Sequence, residues 1–167
     1  MKRSPLGAVL SGLEKLEGYV AMLAYIGVAA LLIADVLMRE VFSFPILGAQ
    51  SLAVLAAIVA GFLGLSLATA RGMHLRPALF DNLLPSHLDR YIERGSDLIA
   101  AAFYVLIAVF AWRFVGESQA AGDRAAVLYF PLWPIQLVMP YAFLSCAIRH
   151  AGYALDPGVK ADRSLQG

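Results

Sequence analysis

The sequence predicts an all-α integral membrane protein, with four transmembrane helices and short interfacial amphipathic helices in a single domain over residues 1–167. The chain is 60% hydrophobic and only 15% charged, and its mean hydropathy is +0.73. Its apolar stretches reach the roughly 20 residues that a helix needs to cross a hydrocarbon core of about 30 Å. They lack the polar–apolar alternation of barrel strands. The four stretches occupy residues 18–37, 49–70, 97–114 and 132–153.

The basic residues are divided unevenly between the two ends of the predicted spans. Only Arg39, Arg113 and Arg124, three of the 13 Lys and Arg residues, fall on one side. Short loops rich in Lys and Arg stay in the cytoplasm, so we expect both termini and the central loop there. The net charge of +1 and the lack of a basic stripe argue against nucleic acid as a partner. The other ten basic residues are Lys2, Arg3, Lys15, Arg71, Arg76, Arg90, Arg94, Arg149, Lys160 and Arg163.

Residues 4–17 place apolar and polar side chains at helical spacing before the first span. This segment is either a separate amphipathic helix on the membrane surface or an extension of the first transmembrane helix. The first span ends with Asp35 and Arg39, which lie four residues apart and can therefore pair on one helix face. A turn follows, in which Pro45 ends the helical geometry and Gly48 permits an unusual backbone conformation.

The second span is rich in small residues that recur every four positions. Such stripes let another helix approach closely, within this chain or in another subunit. At the end of the span, Arg71 and Gly72 suit the last turn and the terminating residue of a helix, and His74 follows them. One stripe consists of Ala53, Ala57 and Gly61, and the other of Ala56, Ala60, Gly64 and Ala68.

Residues 75–94 form the second predicted amphipathic segment, a helix pair interrupted at Pro85 that lies on the lipid of the inner leaflet. The loop after the third span carries Glu117, Asp123 and Arg124, the charges available there to a partner. Trp133 and Pro134 introduce the fourth span as an interface anchor and a residue suited to a first helical turn.

Pro140 lies inside the fourth span, so it frees the backbone carbonyl of Gln136 and is expected to kink the helix. The polar tail over residues 156–167 is expected to be disordered.

No segment combines a nucleophile, an acid and a base, and no glycine-rich nucleotide loop is present, so we expect no enzyme. His74, His87 and His150 are placed at or beyond the helix ends, which disfavours a haem, and Cys146 has no metal-ligand companion. We therefore expect neither a cofactor nor a metal. Few ionisable residues are predicted at mid-depth, which favours an accessory subunit over a stand-alone carrier or channel. A small membrane enzyme or electron-transfer subunit is a further alternative.

The order of these motifs resembles the small membrane subunit, the DctQ type, of tripartite ATP-independent periplasmic (TRAP) transporters. Asp35, Arg39 and Phe42 are followed by Pro45 and Gly48, a small-residue span, the Arg71-Gly72-x-His74 cap, and Trp133-Pro134 before a proline-containing span. The similarity covers residues 15–155.

The resemblance implies a scaffold in the bacterial inner membrane, partnered by a large membrane subunit that carries the substrate and ion sites. A periplasmic substrate-binding protein would deliver an organic acid, such as a dicarboxylate or sialic acid, for ion-gradient-driven uptake. Family members often carry glutamates where this chain has Gln50 and Ser51, so a role that needs a carboxylate there is not expected. The structural or interface candidates are Asp35, Arg39, Gly48, Ala57, Gly61, Gly64, Arg71, Gly72, His74, Trp133, Pro134 and Pro140.

Overall fold

A computed structural model describes residues 5–70 and 89–155, and this part of the chain is almost entirely helical and has no strands. Three of its helices, α1, α2 and α3, are long and apolar enough to cross a membrane. The helices are α1 (Pro5–Phe42), α2 (Ala49–Ala70), α3 (Asp89–Ala121), α4 (Trp133–Gln136) and α5 (Val138–Leu155).

The first helix is longer than its apolar core. It begins at Pro5, a residue suited to the first turn because its missing N–H needs no helical acceptor there. Residues 5–17 are therefore an extension of the first transmembrane helix, and the alternative of a separate amphipathic helix is wrong.

The third helix likewise begins at Asp89 and ends at Ala121, beyond both limits of the predicted span 97–114. Residues 89–94, which were predicted as part of an interfacial helix, belong to α3 instead. The rest of that segment, residues 75–88, lies outside the described residues, as do Arg71, Gly72, His74 and the tail over residues 156–167.

The fourth apolar stretch contains two helices. The short α4 ends at Gln136 and α5 begins at Val138, so the interruption lies at Leu137, three residues before Pro140. Pro140 has no N–H to offer the Gln136 carbonyl, which explains a break at this point, and the predicted kink of the helix stays a prediction. Pro134 lies in the first turn of α4, as the sequence predicts. Trp133 is half-buried, and its role as an interface anchor stays a prediction.

The helices pack in the order α1, α2, α5, α3. α1 packs along α2, α3 packs along α5, and the two hairpins meet where α2 contacts α5. An edge-to-face contact between Phe62 and Phe143, with ring centroids 5.7 Å apart, marks this central contact. The most apolar windows of α1 and α3 are only 11% buried, against 28% for α2, so the outer helices present most of their apolar surface outward.

Most buried positions on the three long helices follow a repeat of seven residues, divided into steps of three and four, and the buried Ser66 and Thr69 of α2 fall outside it. This spacing is typical of helices that cross at a shallow angle and interlock their side chains. Three carboxylates, Glu17, Asp35 and Asp97, occupy these buried positions, so they face protein and not lipid. The seams are Leu10, Glu17, Ala21 and Asp35 on α1, Ala49, Ala53, Ala60, Leu63 and Ala70 on α2, and Asp97, Ala101, Val115 and Ser118 on α3.

Candidate functional site

A buried ion pair joins the first helix to the last. Arg149 on α5 places its Nη2 atom 2.8 Å from the Oε2 atom of Glu17 on α1, and the two side chains are 0% and 1% exposed. Ions in a low-dielectric interior are tolerated when they are paired and their remaining donors and acceptors are hydrogen-bonded. The surroundings of this pair meet that condition.

Three hydroxyl groups complete the coordination of Glu17. Ser145 and Tyr141 on α5 donate to its Oε1 atom at 2.7 and 3.1 Å, and Ser66 on α2 donates to its Oε2 atom at 2.9 Å. Glu17, Ser66, Tyr141, Ser145 and Arg149 thus form one connected group, which we call the three-helix cluster. It ties α1, α2 and α5 together at one level.

Arg149 makes further bonds inside the same cluster. Its Nη1 atom donates to the Ser66 carbonyl at 3.0 Å, to the Ser145 hydroxyl at 2.9 Å, and to the Ser66 hydroxyl. Of the three guanidinium nitrogen atoms of Arg149, Nε alone has no partner among the described residues. Most hydrogen-bond donors of the guanidinium group are therefore bonded within the chain, which is what a structural ion pair requires.

A second buried pair joins α3 to α5. His150 Nδ1 lies 3.0 Å from Asp97 Oδ1, and both side chains are less than a tenth exposed. The Tyr104 ring stacks on the imidazole with centroids 5.6 Å apart, and Tyr153 meets it edge-on at 6.1 Å. The Tyr153 hydroxyl in turn donates to the carbonyl of Ala70, the last residue of α2, at 3.4 Å. This group connects the second helical hairpin to the end of the first.

These two groups correct the sequence interpretation of four residues. Arg149 was counted only among the cytoplasmic basic residues, and His150 was placed at or beyond a helix end, whereas both side chains are buried within α5. Glu17 and Asp97 were given no role, yet each is the partner of one of them. All four residues lie near the limits of the predicted spans, so the expectation of few ionisable residues at mid-depth stays a prediction.

A third polar group holds the turn between α1 and α2. Arg39 Nη2 donates to Asp35 Oδ2 at 2.8 Å, the pairing expected from their spacing. The other carboxylate oxygen of Asp35 accepts the backbone N–H of Ile46 at 3.0 Å. One buried carboxylate therefore fixes the end of α1 to the turn that leads into α2.

Gly48 occupies this turn in a left-handed conformation with φ of +85°, which glycine adopts without steric cost. A Cβ atom there would lie 2.6 Å from Leu128 Cδ2, in the loop between α3 and α4. The turn and that loop are therefore in close contact, and a glycine makes the contact possible.

We expect Gly48→Ala to lower the free energy of unfolding by about 2 kcal/mol, through left-handed strain together with the contact on Leu128. Gly122→Ala is the matched control, because its φ is +72° but no atom lies within 4 Å of the added carbon. It should cost about 1 kcal/mol. Thermal unfolding in detergent measures both, and equal losses would show that the Leu128 contact carries no energy.

The small residues of α2 divide into two groups. Ala53 and Ala60 are buried, whereas Ala57 and Gly61 are exposed and Gly64 is half-buried. A Cβ atom added to Gly61 or Gly64 would meet nothing within 4 Å. Part of the predicted stripes is therefore not used for packing among the described helices.

The chemistry of these groups is that of helix-to-helix contacts. Each buried carboxylate contacts a basic side chain of the same chain, with hydroxyl or aromatic neighbours around two of the three pairs. Within the described residues, no group of three His, Cys, Asp or Glu side chains could hold a metal ion.

Comparison with known proteins gives two findings. The family model described as the DctQ component of tripartite ATP-independent periplasmic transporters matches residues 28–156. The chain is also similar to the sialic acid TRAP transporter permease protein SiaT of Haemophilus influenzae (strain 86-028NP), with 26% identity over 137 residues. That match covers 79% of this chain and 22% of the relative, so the chain spans about a fifth of the relative's length.

Proposed function

We propose, from the premise that this chain belongs to the DctQ family of tripartite ATP-independent periplasmic transporter components, that it is the scaffold of such a transporter. It is a small subunit of a TRAP transporter, a family of transport proteins and not of enzymes. In the proposal it supports a large membrane subunit during ion-gradient-driven uptake of an organic acid. A periplasmic binding protein delivers that acid.

The observation that carries this proposal is the use of the buried charges. A carrier keeps intramembrane charges available to its substrate or coupling ion. Here Glu17, Asp97, Arg149 and His150 are engaged with one another across helix contacts. Such bonds make the helices a rigid unit and leave little chemistry for translocation, which favours a scaffold over a stand-alone carrier.

We further propose that α4 and α5 together make a fourth membrane crossing. α5 has 18 residues and includes Arg149 and His150, which lower its hydropathy. Burial of both side chains removes the cost of exposing them to lipid, so the helix can lie in the bilayer. Four crossings, with both termini cytoplasmic in a bacterial inner membrane, agree with the distribution of the Lys and Arg residues.

The partner surface is proposed to include the open small-residue face of α2. Ala57 and Gly61 are exposed there, and a second helix could approach the backbone closely. The relative SiaT supports a large partner, because most of its length lies outside the part that resembles this chain. The name of SiaT refers to sialic acid, and we propose an organic acid as the substrate class here.

Replacement of Gly61 by leucine should weaken association with the large subunit about tenfold, because the added side chain separates the two helices. The chain itself should fold normally, since no atom lies within 4 Å of the added Cβ. Gly27→Leu on α1 is the matched control, with an equally open Cβ position. Recovery of the partner from a mild-detergent pull-down measures both, and equal recovery would exclude this face of α2.

Deletion of the gene in its native cell tests the proposed function. Growth on succinate, malate, fumarate or sialic acid as the sole carbon source should be lost for at least one acid, and a plasmid copy should restore it. The chain expressed alone in a host without a TRAP system should not confer that growth. Growth conferred by the chain alone would instead identify it as a stand-alone carrier.

A further inference from the structure

Two cavities open at the turn between α1 and α2, and they share two residues. The upper cavity lies beside the turn residues 45–48 and has a volume of about 270 Å³. The lower cavity lies beside Val54 and Leu55 of α2 and has a volume of about 310 Å³. Gln50 and Ser51 line both. We call the combined space the turn-end cleft. The Asp35–Arg39 pair and Gly48 form part of the wall of its upper cavity.

The upper cavity is the more polar of the two, and its neighbours in sequence indicate a position near the lipid headgroups. Phe42 and Phe44, both strongly exposed, flank it in sequence, and exposed aromatic residues at helix ends mark the membrane interface. Its wall includes Arg39, whose side chain is 48% exposed. The carboxamide of Gln50 and the hydroxyl of Ser51 add neutral donors beside it.

The Arg39 guanidinium group has hydrogen-bond donors that no described protein group accepts. Asp35 accepts from its Nη2 atom, and the other guanidinium donors have no protein partner among the described residues. The Asp35 carboxylate is occupied on both oxygens, by Arg39 and by the Ile46 N–H. An anion that enters the upper cavity would therefore meet N–H and O–H donors, and guanidinium groups bind phosphate in two-pronged geometry.

The lower cavity is apolar and continues along α2 towards the membrane interior. Val54 and Leu55 lie one turn beyond Gln50 and Ser51, and Ala125, Ala126 and Leu132 form the facing wall. Val54 is 59% exposed, so the groove is reachable from the side. Polarity thus changes along the cleft in the same direction as in a phospholipid, from the headgroup to the acyl chain.

We propose that the turn-end cleft binds a membrane phospholipid. Its phosphate lies on Arg39, Gln50 and Ser51, and part of one acyl chain lies in the groove lined by Val54 and Leu55. The occupant would join the α1–α2 turn to the loop between α3 and α4 across the cleft. The proposal requires only that α1 and α2 cross the membrane, and it does not depend on the transporter role.

Native mass spectrometry of the full-length chain, purified in mild detergent with any subunit that stays bound, tests this. The probes are phosphatidylglycerol, a diacylglycerol with the same acyl chains, and inorganic phosphate. We expect one saturable phosphatidylglycerol site. The other two probes should bind at least about tenfold more weakly, because the diacylglycerol lacks the phosphate and inorganic phosphate lacks the acyl chains. Equal binding of the diacylglycerol, or phosphate binding as tight as that of the lipid, would overturn the proposal.

Gln50→Glu adds a negative charge to the cleft with almost no change of shape, and it keeps the Asp35–Arg39 pair. It should weaken phosphatidylglycerol binding about tenfold or more, because the carboxylate repels the phosphate and competes for Arg39. Gln119→Glu, on an exposed position of α3 outside the cleft, is the matched control. Equal binding by the two variants would also overturn the proposal, and each variant's unfolding temperature shows that it is folded.

Discussion

Arg149→Met is expected to lower the free energy of unfolding by about 3–5 kcal/mol, the largest loss of any single substitution considered for this chain. The change leaves the Glu17 carboxylate in the interior without its counter-charge. It also removes the donor to Ser66 and Ser145. Thermal unfolding in detergent, followed by size-exclusion chromatography, measures the loss.

Two further variants separate the ion pair from general effects of removing an arginine. Arg113→Met, at an exposed position of α3, should change the stability by no more than about 0.5 kcal/mol. Glu17→Leu combined with Arg149→Met should recover most of the loss, because a well-packed apolar pair can replace a buried ion pair of similar volume. A double variant as unstable as Arg149→Met alone would contradict the assignment of the pair.

Asp97→Leu is expected to cost about 3 kcal/mol, the second-largest loss. It removes the acceptor that lies 3.0 Å from His150 Nδ1 and disturbs the contact between α3 and α5. Asp97→Asn keeps an oxygen in nearly the same place and should recover more than half of that loss. The unfolding temperatures of the two variants measure these losses. If Asp97→Asn is as destabilising as Asp97→Leu, the hydrogen bond to His150 is not the cause of the loss.

Local signals were sufficient for much of the fold. The second span was predicted over residues 49–70, and α2 has those limits, because a run rich in small and apolar residues begins after Gly48 and contains no charged residue. The spacing of Asp35 and Arg39 also predicted their pairing, since residues four apart always share a helix face. These features depend on neighbours in sequence, which a single chain displays directly.

The three-helix cluster could not be predicted from local sequence. Glu17 and Arg149 are separated by 132 positions, and charges near the ends of apolar runs suggest solvent exposure when they are considered one at a time. A seven-residue register would have given a useful signal, because Glu17 falls in step with Leu10 on the buried side of α1. His150 is harder to predict, since α5 is buried on several sides and offers no simple seam.

Helix length was predicted less well than helix position. Hydropathy locates the segment that lies in lipid, but a helix continues until a capping or breaking residue ends it. α1 and α3 therefore extend beyond their apolar cores at both ends, and the extensions contain residues that hydropathy alone assigns to loops. At the fourth stretch, Pro140 indicated an irregularity, while the position of the break at Leu137 required the structure.

The measurement that tests the scaffold role most directly is a mild-detergent pull-down of the tagged chain from its native membrane. Mass spectrometry would identify and quantify what is recovered. The scaffold role predicts a stoichiometric membrane partner much larger than this 18.0 kDa chain. Recovery of the chain alone, as a stable oligomer without such a partner, would contradict it and favour a stand-alone carrier or channel.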